Sequence, residues 1–227
     1  MSTIGTSGAR RITDLECTIP PAGGWTCTGH CDSGPPLATG PTSLVIGDLT
    51  LVGAVLPGRG GTDSPDHPAF VMQGGAGWRT LLAAKSYKSP NNVRLSTVLG
   101  DLSALTGETV DQPADAVLGP VYGWDASTPV RPLRARAILA ELVARGAIPT
   151  WRVAPNGHTR FDPWPAGGAA DAHGTIEDRQ LARGVRYVAL SGSVAAWLPG
   201  GTVQGVTIGR TTFREHGGEL KLEVWDA

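Results

Sequence analysis

The sequence predicts an α+β fold that is mainly β, with two small β-barrel modules and a two-helix insert. Three observations carry this. Short apolar runs separated by Gly, Pro, Asn and Asp turns occupy both ends of the chain. Two stretches in the middle repeat apolar residues at helical spacing. Glycine and proline are abundant, 32 and 18 of 227 residues. They punctuate apolar runs, which marks turns between short strands rather than a low-complexity tract.

The elements follow in order. Ile12 to Ile19 alternates loosely and ends at Pro20-Pro21. Gly23-Gly24 turns the chain, and Trp25 to His30 returns. Ser43 to Ile46 and Leu49 to Leu56 flank Gly47-Asp48, a short hairpin signal. Arg59 to Pro68 reads as a polar Gly/Asp/Pro loop. Ala69 to Gln73 and Arg79 to Ala84 bracket the glycine-rich Gly74 to Gly77. In Leu95 to Thr106 the residues Leu95, Val98, Leu99, Leu102 and Leu105 form one helix face. Asn91 or Asn92 caps its start and Gly107 its end. A second helix spans about Arg131 to Arg145, with Pro132 in its first turn and Gly146 just past its end. Its buried face is Leu133, Ala137, Ile138, Leu139 and Leu142. Between the helices, Thr109 to Thr128 reads as an ordered loop. Ile148 to Val153 and His158 to Asp162 flank a Pro-Asn-Gly turn. Pro163 to Gly174 is a Gly/Ala-rich linker. Gly184 to Leu190, Val203 to Arg214 and Glu219 to Trp225 are strands. In the last, Leu220, Leu222 and Val224 point one way and Lys221, Glu223 and Trp225 the other. The expected division is a first β-barrel module over residues 1–88, a helical insert with a β-hairpin over 89–165, and a second β module over 166–227 that completes the barrels.

Hydrophobic residues make up 41% of the chain and charged residues 17%, with a net charge of −1. A chain of this size buries roughly 70% of its unfolded surface, enough for a core without staples. The charge balance gives no pull toward nucleic acid or an anionic membrane. No apolar run approaches the ~20 residues of a spanning helix. The segment Met1 to Arg11 has two arginines and no apolar stretch behind them, so it does not read as a secretory signal. A protein made in the cytosol and without a membrane anchor is expected.

No G-x-S-x-G or G-x-x-x-x-G-K-[ST] pattern is present, and Ser191-Gly192-Ser193 lacks the elbow geometry. Gly58-Arg59-Gly60-Gly61 and Gly74-Gly75-Ala76-Gly77 read as turns. Asp63, Asp66 and His67 form the tightest acid–histidine cluster, in a Gly/Pro context that favours a solvated loop. His173 and Glu177 stand four apart without a second ligand pair. Asp101 and Glu108 flank the first helix as surface carboxylates. Cys17, Cys27 and Cys31 sit close together. They are read as buried thiols, as a cross-strand disulfide with one thiol left over, or, with His30, as a weaker zinc pattern. No catalytic, cofactor or metal residue is assigned. Seven tryptophans suit a core and subunit interfaces, or a sugar platform. Lys85, Lys88 and Lys221 are the lysines among 19 basic residues, so arginine, the residue of bidentate interface pairs, dominates.

Several runs resemble one family. Leu44-Val45-Ile46-Gly47-Asp48-Leu49-Thr50-Leu51-Val52-Gly53 is similar to the early strand pair of baseplate hub proteins of phage tails. Gly74 to Arg79 and Ala84-Lys85-Ser86-Tyr87 continue the likeness. Val93 to Leu102 and Thr106-Gly107-Glu108 resemble the family's first helix and its exit. Trp197-Leu198-Pro199-Gly200-Gly201-Thr202-Val203, Gly205 and a final hairpin ending in Trp225 resemble its C-terminal part. The resemblance implies tail-tube-like β-barrel modules, a homotrimer whose six modules match a sixfold tube to a threefold spike, and location in the virion tail after synthesis in the host cytoplasm. The implied partners are other copies, a tail-tube or distal-tail protein, the spike and the tape-measure protein. It carries no site residue and no cofactor, because such hubs work through surfaces. The cysteine cluster and the short length depart from the pattern. Two rivals remain: a tail-tip cell-wall hydrolase, and a Trp-rich carbohydrate-binding β module.

Overall fold

The computed structural model describes residues 5–7, 10–32, 34–57, 67–125, 133–166, 174–180, 184–189, 193–203, 205–216 and 219–227. Its elements are β1 (Gly5–Ser7), β2 (Arg10–Ile19), β3 (Thr26–Cys31), β4 (Gly40–Ile46), β5 (Leu49–Val55), β6 (Ala69–Gln73), β7 (Lys85–Arg94), α1 (Leu95–Thr106), β8 (Val117–Trp124), α2 (Ala135–Ala144), β9 (Arg152–Val153), β10 (Thr159–Arg160), β11 (Gly174–Gln180), β12 (Gly184–Ala189), β13 (Thr202–Val203), β14 (Val206–His216) and β15 (Glu219–Asp226). The fold is mainly β with two helices. Two compact units emerge, residues 1–74 with 164–227, and residues 75–163.

In the unit formed by both chain ends, β1 pairs with β4 and also with β2. The pairings run β1–β4–β5–β6–β3–β2 and return to β1, so these six strands close on themselves as a small barrel. β14 lies against the second half of β2, Thr211 opposite Ile19 through His216 opposite Asp14, and β15, β12 and β11 follow it outward. Strands from both ends of the chain thus share one sheet.

The loose alternation of β2 has a physical cause. Its register against β3 slips between Ile12 and Asp14, so Thr13 is an extra residue. The buried positions become Ile12, Leu15, Cys17 and Ile19, a step of three followed by steps of two. β14 carries a similar slip at Gly209, where an added Cβ would come within 2.5 Å of the Asp226 carbonyl oxygen. The β4–β5 hairpin turns on Gly47 (φ 58) and Asp48, with glycine at the first turn position as a two-residue hairpin of this kind requires. Leu44, Ile46, Leu51, Met72, Trp197, Phe213 and Leu222 are fully buried in this unit. Such burial stabilises by about 1.5–3 kcal/mol per large side chain.

In residues 75–163, α1 has the expected bounds and buries Leu95, Val98, Leu99 and Leu102. Leu105 corrects the expected face: it is 51% exposed, because the helix closes at Gly107 (φ 73) and its last turn leaves the core. The cap is also different. Arg94 occupies the N-cap, and the Asp115 carboxylate accepts from the Ser96 amide at 2.9 Å. Asn92, expected near the cap, instead takes φ 66 where β7 bulges against β8. α2 starts at Ala135, later than expected. Leu81 and Arg134 form an antiparallel bridge, with the Leu82 amide on the Leu133 carbonyl and the Ala135 amide on the Thr80 carbonyl. That bridge holds Leu133 and Arg134 extended, and Leu133 lies outside the helix.

The expected loop over 109–128 contains β8. It pairs with β7 from Lys85 opposite Trp124 to Arg94 opposite Val117. Pro90 and Pro120 lie inside these strands and hide them from a reading that takes proline as a breaker. Tyr87, Tyr122 and Trp124 supply the packing, with ring centroids 5.6–6.5 Å apart. The hairpin around Pro155-Asn156-Gly157 is present but short, two residues a side in β9 and β10. The linker ends where β11 begins, at Gly174. Arg131, Pro132, Gly58 to Gly61, Asp63, Asp66, His173, Ser191-Gly192 and the Gly217-Gly218 turn lie outside the described residues, as does 167–173 of the linker.

Candidate assembly surface

The outer face of the β3–β2–β14–β15 sheet is built in rows, because directly opposed residues on antiparallel strands share a face. His30, Asp14 and His216 form one row. The Asp14 carboxylate lies 2.7 Å from His216 Nδ1 and 3.9 Å from His30 Nδ1. Arg214 reaches two carboxylates, Glu16 at 3.2 Å on β2 and Glu223 at 2.6 Å on β15. Thr18 and Thr212 share a hydrogen bond of 3.0 Å. The exposed ion pairs among these contribute roughly 0.2–1 kcal/mol each. Their larger effect is register, since a one-residue slip would carry every one of them to the other face.

The opposite face is mostly apolar, with Thr211 and Glu215 buried among its apolar side chains, and holds the cysteines. Cys17 and Cys27 are direct partners in the β2–β3 register, with Cα atoms 4.0 Å apart, and their sulfurs are joined. Cys31 keeps its thiol. It is fully buried, and burial pushes its pKa up against the opposing pull of Arg10. The Arg10 guanidinium donates to the Asp32 carboxylate at 3.3 Å and to the Asp32 and Pro35 carbonyls. Cys17 and Cys27 are therefore not available as thiolate ligands, and no group of three His, Cys, Asp or Glu suited to a metal occurs among the described residues.

The sheet also has an edge. β1 closes the barrel on one side, while β11 ends the strand order with β12 as its single strand partner among the described residues. An edge strand presents unpaired amide and carbonyl groups to another chain.

A second ordering device joins the β4–β5 turn to a single 3-10 turn at Val194–Trp197. Burial pushes the Asp48 carboxyl up. Hydrogen bonds from Ser193, the Val194 amide at 2.6 Å and the Ala195 amide outweigh that and hold it below the usual carboxylate range. Gly47 is required at this contact, since a Cβ there would lie 2.7 Å from the Val194 side chain.

The remaining candidate groups are engaged structurally. Asp101 is held low by hydrogen bonds from Lys85 (2.5 Å) and Tyr87 (2.8 Å). Glu108 accepts from the Gly77 amide at 2.6 Å, and burial pushes its carboxyl up. Tyr122 is pushed up to about 12, mainly by burial, and has the Arg145 guanidinium 5.2 Å from its ring centre. Of the tryptophans, Trp25, Trp78 and Trp197 are fully buried. Trp78 donates to Thr159 Oγ1 at 2.8 Å and meets Trp151 edge-on, and Arg210 lies 4.0 Å from the Trp225 ring centre. Sequence reasoning missed the carboxylate rows and the Asp48 contact. Each row takes one residue from each strand, and the Asp48 contact joins a turn to a segment 146 positions away, so spacing along the chain carries no sign of them.

No family model matches the chain, and no curated protein matches it either. Solved structures do match over its whole length. The 43 kDa tail protein of prophage MuSo2 from Shewanella oneidensis aligns at a TM-score of 0.65 and 11% identity, covering 98% of this chain and 97% of that one. An E. coli component of the type VI secretion system, itself structurally similar to the T4 bacteriophage tail proteins gp27 and gp5, aligns at 0.63 and 10% identity, covering 98% of this chain and 76% of that one. A tail protein from Neisseria meningitidis MC58 aligns at 0.57 and 12% identity, covering 97% and 95%. The chain has the fold of phage-type tail proteins.

Proposed function

We propose that this chain is a structural subunit of a phage-type tail, a hub at the tail tip that assembles into a ring of copies and joins the tail tube to the central spike. The observation that carries this reading is the match of the entire fold to tail proteins at TM-scores of 0.57–0.65, with nearly all of this chain aligned. The β11 edge, whose single strand partner among the described residues is β12, supports it, because a ring of copies satisfies such an edge by pairing between subunits. The proposed ring is a homotrimer, located in the virion tail after synthesis in the host cytoplasm. Its neighbours are a tail-tube or distal-tail protein on one side and the spike on the other, with the tape-measure protein at the lumen. The role is non-enzymatic. Asp101 and Glu108, the carboxylates flanking the first helix, are each tied to structural partners. Light scattering on the purified chain tests the proposal. A trimer or larger ring is expected, and a monomer at high concentration overturns it.

A further inference from the structure

Within residues 75–163 a pocket of about 540 Å³ lies between the loop after α1, the loop after α2 and the end of the β9–β10 hairpin. Phe161, Pro113, Pro149, Ala114 and Ala147 give it an apolar lining, and Asp162 contributes a carboxylate. The charges around it are unequally spent. Asp111 is ion-paired on both oxygens: one lies 2.9 Å from His158 Nδ1 and the other 3.0 Å from Arg160 Nε. Asp162 is different. Arg152, only 2% exposed, holds Oδ1 at 2.9 Å through one guanidinium nitrogen and the Asp162 backbone oxygen at 3.0 Å through Nε. The Asp162 side chain is 61% exposed, and no bond to Oδ2 is found among the described residues. A carboxylate fixed from behind by a buried guanidinium, with one oxygen unspent, is a preorganised acceptor.

We propose that this pocket is a socket for the basic side chain, lysine or arginine, of a partner polypeptide. The methylene stem lies on Phe161 and the two prolines, as long basic side chains cover apolar surface while keeping their charge in a polar setting. The cationic head meets Asp162 Oδ2. An acidic side chain is repelled by Asp162 and by Asp111, which both line the pocket. A neutral apolar side chain leaves Asp162 unused. The socket does not depend on the ring or on its symmetry.

The test uses the full chain and two blocked tripeptides, acetyl-Ala-Lys-Ala-amide and its Nε-acetyl-lysine counterpart, titrated while the Ala114 and Ala147 methyl resonances are followed. The lysine peptide should shift both saturably, with a millimolar midpoint of the order expected for one ion pair on a small apolar floor. Acetylation of the lysine should weaken binding about fivefold or more. Asp162→Asn should do the same. Ala147→Trp, which fills the pocket and leaves the Arg152–Asp162 pair intact, should abolish the shifts. Should Asp162→Asn unfold the chain by stranding Arg152, the lysine against acetyl-lysine comparison and Ala147→Trp still decide. Equal binding of both peptides, shifts that persist in Ala147→Trp, or no saturable shift up to about 10 mM overturns the socket.

Discussion

Cys17 and Cys27 stand opposite each other on β2 and β3, ten residues apart in sequence, with their sulfurs joined on the buried face of the sheet. Closing so short a loop removes limited freedom from the unfolded chain, on the order of 2–3 kcal/mol. A thermal melt with and without reductant measures it. Reductant should lower the midpoint of the wild type and leave the Cys17→Ala/Cys27→Ala double variant unmoved. An equal shift in both would mean that the bond contributes nothing to stability.

Trp25 and Gly74 meet at a distance that admits no side chain. A Cβ on Gly74 would fall 2.2 Å from Trp25 Nε1, and one on Gly53 would fall 2.7 Å from the far side of the same ring. Trp25 is 1% exposed and has nowhere to go. Gly74→Ala should therefore cost roughly 1–3 kcal/mol by overpacking, read as a fall in the denaturation midpoint at unchanged m-value. A neutral result would require the ring to have a second seat.

Glu108 gives a pH dependence. Its carboxyl is raised above 4.5 by burial, with the Gly77 amide pulling the other way. The folded state then holds the proton more tightly than the unfolded one. Stability from this group is full below the unfolded pKa and is lost as pH rises toward the raised folded value. Glu108→Gln keeps an acceptor for the Gly77 amide and removes the titration. The variant's stability should lose that downward slope above pH 4.5, as chemical denaturation at a series of pH values reads. A slope identical to wild type would assign the pH dependence elsewhere.

Asp48 works in the opposite sense. Its folded pKa is depressed, so its contribution is present above the unfolded value and is lost as pH falls through the folded one. Asp48→Ala should cost about 1 kcal/mol at neutral pH, the usual value of a side-chain cap. Amide exchange should quicken at Val194 and Ala195, whose N–H groups lose their acceptor. Asp48→Asn should retain most of that protection. Unchanged exchange in the alanine variant would show that another group holds the turn.

The parts of this fold legible in the sequence are those set by local rules. Helix α1 announced itself because Leu95, Val98, Leu99 and Leu102 recur at helical spacing and Gly107 can adopt the left-handed stop. The β4–β5 hairpin was visible in Gly47-Asp48 between apolar runs. What stayed hidden depends on distant partners. β7 and β8 contain prolines and few aliphatic residues, and they persist because Tyr87, Tyr122 and Trp124 pack together across the pair. Residues 133–134 have helix-compatible neighbours but are captured by Leu81. The Arg214 carboxylate pair and the Arg152–Asp162 contact join residues whose proximity follows from strand register, so composition and spacing were silent about both.

The join of β14 to β2 bears on how the chain acquires its shape. Thr18 and Thr212 touch across 194 positions of sequence. The pairings of β1 to β6 with one another are complete once about a third of the chain exists, and that barrel can close early during synthesis. The second half of β2 then waits, with its outer backbone groups uncovered, until the last strands leave the ribosome. Nonlocal pairing of this kind is slow. Truncation before Val206 would leave that edge permanently open, and the newly made fragment, more than the finished protein, is the species exposed to misassociation.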